Sequence, residues 1–207
     1  SWSVCGPSMW FLGMLKMNRE IVVIGGGAAG MMAAIAAAER GAAVRLLEPN
    51  ERLGKKLNIT GKGRCNVTNN CTVEELLAHI PRNGKFLYSA LVRFTSADAM
   101  AFLEGIGVPL KTERGNRVFP VSDCAFDVSG ALKKRMEKLG VRWEHDRAVS
   151  LMVEEGAISA VQGDTAVVTH DAATAVSVGQ AGEQAHGTGH PGAVGIGVEH
   201  TVIVGLA

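Results

Sequence analysis

Cysteine is scarce in this 207-residue sequence, which contains four: Cys5, Cys65, Cys71 and Cys124. No two of them form a CxxC pair and their spacing matches no zinc pattern, so we expect no metal centre. Four cysteines in a chain of this length are also too few for a disulfide framework. Their scarcity therefore predicts reduced thiols in a cytoplasmic protein.

Long hydrophobic runs are missing as well. The apolar residues at the start, 1–17, contain no uninterrupted stretch long enough to span a bilayer. They also lack the basic leading segment and the small-residue cleavage site of a signal peptide. We therefore expect no membrane partner. Because Met14 and Met17 stand just before the first predicted strand, we interpret residues 1–17 as an extraneous or flexible segment upstream of the natural start.

Cations and aromatic residues are absent from the last part of the chain. All 21 Lys and Arg lie within residues 1–147, and the last aromatic residue is Trp143. Gly, Ala, Val, Thr and His dominate residues 164–207, with no clear period of 2 or 3.6. Such a segment buries little apolar surface against its ordering entropy, which predicts an atypical, poorly ordered tail. Four histidines in it match no standard zinc spacing and are interpreted as solvated: His170, His186, His190 and His200.

A strand–helix–strand unit is present near the start of the chain. Glu20 to Ile24 is a short apolar run that suits a parallel strand buried on both faces. An alanine-rich segment, Met31 to Arg40, predicts a helix that lies close on a sheet, and Ala43 to Leu47 predicts the second strand. The pattern predicts an α/β, Rossmann-like domain over residues 18–163, with three layers and a mostly parallel sheet.

Local patterns predict further elements along the chain. Thr72 and Glu75 form a capping box, and Ser96 is expected to cap a later helix. We expect the apolar stripes of these helices to belong to the core. The remaining elements are a helix containing Phe86, Leu87, Leu91 and Phe94, a hairpin at Gly115-Asn116, a helix containing Val128, Leu132, Met136 and Leu139, and strands at 141–143, 149–153 and 157–161.

The turn after the first strand has the pattern Gly25-x-Gly27-x-x-Gly30, with Ala28 and Ala29 inside it. Gly25 permits a tight turn, Gly27 lets the backbone approach a pyrophosphate, and Gly30 allows close packing of helix on strand. The helix N-terminus then offers free N–H groups to the phosphates. Taken with the strand before it and the helix after it, the pattern predicts a dinucleotide site, the alternative being a glycine-rich turn with no ligand.

Glu48 follows Gly30 by 18 residues and ends the second predicted strand. An acid at this place accepts hydrogen bonds from the hydroxyls of an adenosine ribose. Its negative charge disfavours a ribose 2′-phosphate, and therefore NADP, at this subsite. FAD and NAD both remain compatible with the unit.

The next segment, Arg52 to Asn70, shows neither helical nor strand period, which predicts a long functional loop. It carries five cations between residues 52 and 64 and no acid among them. Residues 60–63 can bend into a nest of N–H donors, while Asn66, Thr68 and Asn69 offer neutral hydrogen-bonding groups. A second glycine-rich loop suits the long ribityl-diphosphate of FAD, the alternative being a solvated basic loop. Because no aromatic residues interleave with its cations, we expect no nucleic-acid partner.

Two stretches resemble a known family. LGKKLNITGKGRCNVTN, after GGGAAG and an acid-ended strand, resembles the KxxxSGxGRCNxTN-like loop of the bacterial HI0933-like, or aminoacetone-oxidase-like, NAD(P)/FAD-dependent oxidoreductases. Thr60 stands where Ser is usual and Lys62 where Gly is common. GNRVFPVSD at residues 115–123 resembles a later segment of the same family, with Asn116 between Gly and Arg. The resemblance covers roughly residues 18–163.

The resemblance implies an FAD fold with an inserted substrate domain. It implies a flavin that carries hydride or electrons between a donor, such as NAD(P)H, and a small organic substrate. Beyond the fingerprint and Glu48, it implies FAD contacts at Lys56, Gly63, Arg64, Cys65, Asn66 and Thr68. Family chains are about twice as long and carry later flavin-side segments that are not recognisable here, so we expect a truncated chain. The alternatives are a non-catalytic nucleotide-binding fragment and an NAD-linked dehydrogenase.

No residue stands out as a catalytic acid or base. Cys65 is interpreted as a structural loop residue rather than a reactive thiol, since no His or second Cys adjoins it. Ser122-Asp123 is expected to begin a helix rather than to act in catalysis. Arg117 either neutralises an anionic ligand or pairs with a surface carboxylate. The substrate and the oligomeric state remain open.

Overall fold

The computed structural model describes residues 20–154, 157–169, 173–178, 193–195 and 201–206. The segment 1–17 and the four histidines of the tail lie outside these residues. The strands are β1 Glu20–Ile24, β2 Ala43–Glu48, β3 Thr68–Asn69, β4 Leu110–Glu113, β5 Arg117–Pro120, β6 Arg142–His145, β7 Ala148–Glu154, β8 Ala157–Gly163, β9 Val167–Thr169, β10 Ala173–Val178, β11 Ala193–Gly195 and β12 Thr201–Leu206. The helices are α1 Ala28–Glu39, α2 Lys55–Ile59, α3 Val73–Ala78, α4 Gly84–Arg93, α5 Ser96–Gly105 and α6 Ala125–Lys138.

The central sheet has the strand order β10-β12-β1-β2-β6. β1, β2 and β6 run parallel, with Val23 opposite Leu46 and Leu46 opposite Trp143. β12 pairs antiparallel with both β1 and β10. The carboxyl ends of the three parallel strands therefore share one edge, where an α/β sheet binds its ligands. The predicted α/β, Rossmann-like fold is confirmed, with an antiparallel pair added at one side of the sheet.

The two faces of the central sheet are covered by different layers. Val23 and Leu46 belong to a buried cluster with Met31 of α1 and Leu132 of α6. The alternate residues of the strands, among them Val22, form a second cluster with β7 and β8. Because strand side chains alternate between faces, an apolar run without polar interruptions fits a strand that is buried on both sides.

A four-stranded sheet, β11-β7-β8-β9, supplies the layer opposite the helices. The predicted strands at 149–153 and 157–161 correspond to β7 and β8, which pair antiparallel. Between β6 and β7 lies Asp146, which is buried and accepts hydrogen bonds from the backbone N–H groups of Arg147 and Thr165, at 2.8 and 3.2 Å. Burial by itself would raise the pKa of Asp146, but the hydrogen bonds from Thr165, Arg147 and Asp164 outweigh it and lower that pKa.

A small third sheet, β3-β5-β4, lies beside α5. The predicted hairpin is confirmed: β4 and β5 pair antiparallel around Gly115 and Asn116, whose φ angles are 75° and 58°. The capping box at Thr72 and Glu75 is confirmed, with the Thr72 hydroxyl accepting from the Glu75 N–H at 3.2 Å. The cap of α5 is Thr95 rather than Ser96, because Thr95 forms a full capping box with Asp98.

The stretch from Arg52 to Asn70 is more ordered than its composition predicts. It contains α2, a 3-10 turn over Thr60–Gly63 and the short strand β3. Gly54 takes a left-handed conformation that starts α2, and the Asn58 side chain accepts from Ser129 Oγ of α6 at 2.7 Å. A contact between residues this far apart in sequence orders a segment that has little periodicity of its own.

Parts of the segment after residue 163 form strands, while the expected irregularity of the segment as a whole stays a prediction. The structure describes β9, β10, β11 and β12 within residues 164–207. Their Val- and Thr-rich sequences suit strands, and pairing with β1, β7 and β8 supplies hydrogen bonds that local periodicity does not reveal. The division of the chain at residue 163 into a domain and a tail stays a prediction.

Two expectations about helices were wrong. α4 has no buried residue, and Phe86 is 86% exposed, so the apolar stripe of this helix is not core in the part of the chain that the structure describes. Ser122-Asp123 does not begin α6, which starts at Ala125 without a side-chain cap; Asp123 lies instead in a turn with φ 54°. Among the described helices, none is both long and apolar enough to cross a membrane.

Candidate nucleotide-binding site

The turn between β1 and α1 lies at the carboxyl edge of the central sheet. Gly25 has φ 98°, a conformation that favours glycine, and its N–H donates to Leu47 O at 2.8 Å. Gly27 is extended, with φ −73° and ψ −176°, and forms the N-cap of α1. A Cβ added to Gly27 would meet nothing within 4 Å. The turn therefore follows the parallel strands closely and leaves open space at the glycine that was predicted to face a pyrophosphate.

Among the residues that the structure describes, no side chain caps the N-terminus of α1. It has no side-chain cap and no acid in its first turn, and Ala28 and Ala29 are exposed. The first intrahelical bond joins the Met31 N–H to Gly27 O at 2.9 Å, so the N–H groups of residues 28–30 precede the helical ladder. Gly30 is buried, as close packing on the strand requires. Such a helix end attracts an anion through its N–H groups and its partial positive charge.

Gly26 is the one glycine of the turn that lies at an unspecified position of the Gly25-x-Gly27-x-x-Gly30 fingerprint. Its N–H donates to Glu48 Oε2 at 2.6 Å, and its carbonyl accepts from the Gly54 N–H at 2.8 Å. A Cβ at Gly26 would lie 3.0 Å from Glu48 Oε2 and would overlap the Leu53 side chain. Gly26 thus joins the turn both to Glu48 and to the beginning of the second loop, and a larger residue there would force the Leu53 side chain to move.

Glu48 is 7% exposed and has partners on both carboxylate oxygens. Oε2 accepts from Gly26, and Oε1 accepts from the Asn50 backbone N–H at 2.9 Å and from the Asn50 side-chain amide. Lys55 Nζ donates in turn to Asn50 Oδ1 at 3.0 Å. The structure therefore brings the predicted ribose acceptor against the glycine turn, as the motif requires. Asn50 and Lys55 were not singled out from the sequence, although the short spacing to Glu48 was a usable signal.

A cleft of about 600 Å³ lies beside Glu48. Its walls come from the segment after β2, from α2, from Phe126 of α6 and from His145 at the end of β6. His145 is held by a hydrogen bond between its Nε2 and Pro49 O at 3.0 Å. Phe126 is 56% exposed, so an aromatic face is available at the rim. The cleft lies outside the carboxyl ends of two neighbouring parallel strands, where open α/β sheets bind ligands.

The second glycine-rich loop contains a cluster of left-handed residues. Gly61, Lys62, Gly63 and Cys65 have φ angles of 59°, 61°, 84° and 61°. Lys62 and Cys65 are not glycine, so the surrounding structure must hold this conformation. A Cβ at Gly61 would lie 3.1 Å from the Asn66 N–H nitrogen. Within it, the N–H groups of Arg64 and Cys65 donate to Gly61 O and Thr60 O at 3.3 and 3.1 Å, so the nest of N–H donors stays a prediction.

Arg64 lies at the centre of a charged network. Its Nε donates to Asp123 Oδ1 at 2.8 Å, and its Nη2 contacts Glu113 Oε1 at 2.5 Å. Lys111 Nζ donates to Asp123 Oδ2 at 2.6 Å, and the Arg64 guanidinium lies 4.2 Å from the centre of the Phe119 ring. Hydrogen bonds from Arg64 lower the pKa of Glu113, and those from Lys111 and then Arg64 lower the pKa of Asp123. This network joins the second loop to the β4–β5 hairpin.

The other residues of the second loop occupy different surroundings. Cys65 is 1% exposed, and burial raises the pKa of its thiol, which fits a structural rather than a reactive cysteine. The Asn66 amide, with its nitrogen placed toward two carbonyls, donates to Val118 O and Thr68 O at 3.3 and 3.2 Å. Thr68 Oγ1 donates to Ser96 Oγ at 3.3 Å, whereas Lys56 is exposed on α2. Several of the predicted FAD contacts therefore hold the loop to the third sheet, and their contact with a ligand stays a prediction.

Metal binding is not apparent in the part of the chain that the structure describes. There, no group of three His, Cys, Asp or Glu side chains comes together as metal ligands.

Arg117 has its Nε bonded to Arg114 O at 3.2 Å and lies 5.9 Å from the Phe119 ring, so its contacts are with the hairpin itself.

Comparison with known proteins places the whole arrangement in one family. Residues 19–201 match the HI0933-like protein Rossmann domain. A 3-dehydro-bile acid delta(4,6)-reductase from Clostridium scindens is 32% identical over 61% of this chain and 30% of its own length. A ribosomal RNA dihydrouridine synthase from Haemophilus influenzae is 28% identical over 74% of this chain and 36% of its own length. The chain thus spans about a third of the length of these curated relatives.

Among solved structures, a 3-ketosteroid-delta4-(5alpha)-dehydrogenase from Rhodococcus jostii RHA1 has the same fold. Its TM-score is 0.55 at 18% identity, over 74% of this chain and 44% of that one. The family match covers the glycine turn, Glu48, the second loop and the β4–β5 hairpin. The chain therefore belongs to the HI0933-like Rossmann-domain family, a family of FAD-binding oxidoreductases.

Proposed function

We propose that this chain binds FAD through its ADP half and forms the nucleotide-binding part of a flavin-dependent oxidoreductase. One observation carries the proposal. The N-terminus of α1 begins at Gly27, where a Cβ would meet nothing within 4 Å, and the buried Glu48 carboxylate accepts from the N–H of the adjacent Gly26. The N–H groups at the helix start fit a diphosphate, and Glu48 fits a ribose hydroxyl. The second loop adds a compact glycine-rich segment for the remainder of a long cofactor.

The residues present fit such a cofactor in chemistry as well as in space. A Cβ at position 27 would occupy the room that a diphosphate needs, and no acid in the first turn of α1 opposes an anion. When bound, the flavin supplies hydride or electron transfer between a donor, such as NAD(P)H, and a small organic substrate. The protein's own part at this site is to bind the diphosphate, orient the ribose and hold the second loop in place. We assign no acid or base.

Direct titration tests the proposal. The wild-type chain is expected to show a ligand-dependent rise in melting temperature with FAD and with ADP, because a ligand that binds only the folded state stabilises it. FAD is expected to bind more tightly than NADH. Tighter binding of NADH would favour an NAD-linked dehydrogenase. Binding of ADP and FAD without any turnover with a reduced donor would favour a non-catalytic nucleotide-binding fragment, and no rise with any of them would overturn the proposal.

Three glycine variants separate binding from folding. Gly27→Ala has space for its methyl group and a permitted φ, so it should cost at most about 1 kcal/mol as a changed N-cap but should weaken FAD binding at least about tenfold. Gly26→Ala should destabilise the fold itself, since its Cβ would overlap Leu53. Gly105→Ala, in α5 with nothing within 4 Å, is the matched control and should leave FAD binding unchanged. Equal FAD affinity in Gly27→Ala and wild type would contradict the proposed site.

A further inference from the structure

Asn50 connects Glu48 to a cation. Its backbone N–H donates to Glu48 Oε1 at 2.9 Å, and its side-chain amide donates to the same oxygen. Its Oδ1 accepts from Lys55 Nζ at 3.0 Å. At the other end of this chain of hydrogen bonds, Glu48 Oε2 accepts from the Gly26 N–H at 2.6 Å. A lysine of α2 is thereby linked, through one amide and one carboxylate, to the glycine turn.

These contacts use most of the acceptor capacity of Glu48. A carboxylate offers about four lone-pair sites, two on each oxygen. The two N–H groups of Asn50 occupy Oε1, and the Gly26 N–H occupies one site of Oε2. The one remaining site is therefore on the oxygen that already contacts the glycine turn. Because the side chain is buried and bonded at both oxygens, its orientation is set before any ligand arrives.

We propose that Asn50, held by Lys55, is a positioning residue that determines how strictly Glu48 recognises a ribose hydroxyl. The proposal rests on the nucleotide-binding function proposed above. A site built to hydrogen-bond a hydroxyl rejects an analogue that lacks it, because the buried acceptor is then left without its partner. That rejection requires a fixed acceptor. Without the Asn50 side-chain amide, the Glu48 carboxylate loses one hydrogen-bond donor and gains rotational freedom. It can then turn to accept a hydrogen bond from water when the bound nucleotide lacks the ribose hydroxyl.

The test compares ADP with 2′-deoxy-ADP and with 3′-deoxy-ADP by calorimetry. The wild-type chain is expected to prefer ADP over one of the two deoxy analogues by about tenfold, the size of one hydrogen bond to a charged group. Asn50→Ala should reduce this preference to less than about threefold, chiefly because the analogue without the bonded hydroxyl then binds more tightly than it does to wild type. Asn83→Gly is the control: Asn83 is exposed at the start of α4, its side chain makes no capping hydrogen bond and glycine tolerates its φ of 54°, so the preference of this variant should equal that of wild type.

The outcomes distinguish a positioning role from a structural one. A preference in Asn50→Ala equal to that of wild type would overturn the inference and leave the proposed function intact. An equal loss of affinity for ADP and both analogues would also overturn it, since a merely structural residue acts in that way. Wild-type protein that binds neither FAD nor ADP would overturn the proposed function and this inference with it.

Lys55→Met provides a second variant that does not touch Glu48. It removes the cation from Asn50 Oδ1 but leaves both N–H donors of Asn50 in place. Its preference for ADP should fall by a smaller factor than that of Asn50→Ala, because the amide is then less firmly held. If Asn50→Ala does not fold, this comparison decides: an unchanged preference in Lys55→Met overturns the inference.

Discussion

The strand–helix–strand unit at residues 20–48 and the helical pair α3–α4 bury their apolar residues to very different extents. Val22, Val23 and Leu46 have no exposed surface, because α1 and α6 cover one face of the sheet and β7 and β8 cover the other. Neither α3 nor α4 has a buried residue, and the exposed fraction of the large side chains on the outer face of α4 runs from 40% at Leu87 to 86% at Phe86, while Leu91 is partly buried.

The difference lies in what surrounds each element rather than in its composition. β1 has a neighbouring strand on either side and a layer on each face, whereas α4 packs chiefly against α3 within the described residues. Removing a methyl group from a close-packed side chain leaves a cavity that lowers the stability of the fold, whereas removing one from an exposed side chain leaves no cavity. The same substitution should therefore cost much more stability in the first region than in the second.

Shortening a leucine should have the largest effect. Leu46→Ala is expected to lower the free energy of unfolding by about 3 kcal/mol, since Leu46 is fully buried between layers and its removal leaves a cavity. Leu87→Ala makes the same chemical change on α4 and should cost less than about 1 kcal/mol. Urea unfolding monitored by circular dichroism measures both. Equal costs would contradict the contrast between the regions.

Removing a buried acceptor should come next. Asp146→Ala leaves the backbone N–H groups of Arg147 and Thr165 without their carboxylate, which should cost about 2 kcal/mol. The matched change is Asp98→Ala, where an exposed carboxylate accepts from the Thr95 N–H at the start of α5, and it should cost less than Asp146→Ala. If Asp146→Ala lowers the free energy of unfolding by less than Asp98→Ala in the same urea experiment, the buried carboxylate is not the more important of the two for stability.

Much of the first region could be predicted from the sequence because each residue type there answers a local requirement. Gly25 needs a positive φ, Gly27 needs open space, and an apolar run such as Val22 to Ile24 needs a strand buried on both faces. These demands act within a few residues, so the fold class and the glycine turn follow from the pattern. Contacts with a ligand at Lys56, Gly63 and the residues after them are not fixed by local demands, and they stay predictions.

The features that the sequence did not reveal depend on distant partners. Arg64 meets Glu113 and Asp123, which lie 49 and 59 residues away, so nothing local shows that its guanidinium holds the hairpin. The helix α2 is tied to Ser129 across 71 residues. The stripe on α4 predicts only that one face is apolar; whether another element covers that face is decided by the rest of the fold.

Acid should weaken the network that joins the second loop to the hairpin. The folded-state pKa values of Asp123 and Glu113 are lowered, so their contribution to stability is complete above the ordinary carboxyl pKa of about 4 and is lost as the pH falls through the lowered values. Asparagine tolerates the left-handed backbone at position 123. The Asp123→Asn variant should therefore lose less melting temperature than wild type when the pH is lowered from about 5 to about 3. The effect should be modest and should shrink with added salt, because the pairs are exposed. An acid slope identical to that of wild type would contradict a role for the network.

The smallest effect is expected on the uncovered helix. Phe86→Ala removes a side chain that is 86% exposed, so the free energy of unfolding should change by less than about 0.5 kcal/mol. Phe119→Ala is the matched control, because Phe119 is 3% exposed beneath Arg64, and its loss should cost about 3 to 5 kcal/mol. If Phe86→Ala costs as much as Phe119→Ala in urea unfolding, some part of the protein covers α4 in solution. The exposed stripe would then be a contact surface of the folded chain, and the two regions would differ less than their burial indicates.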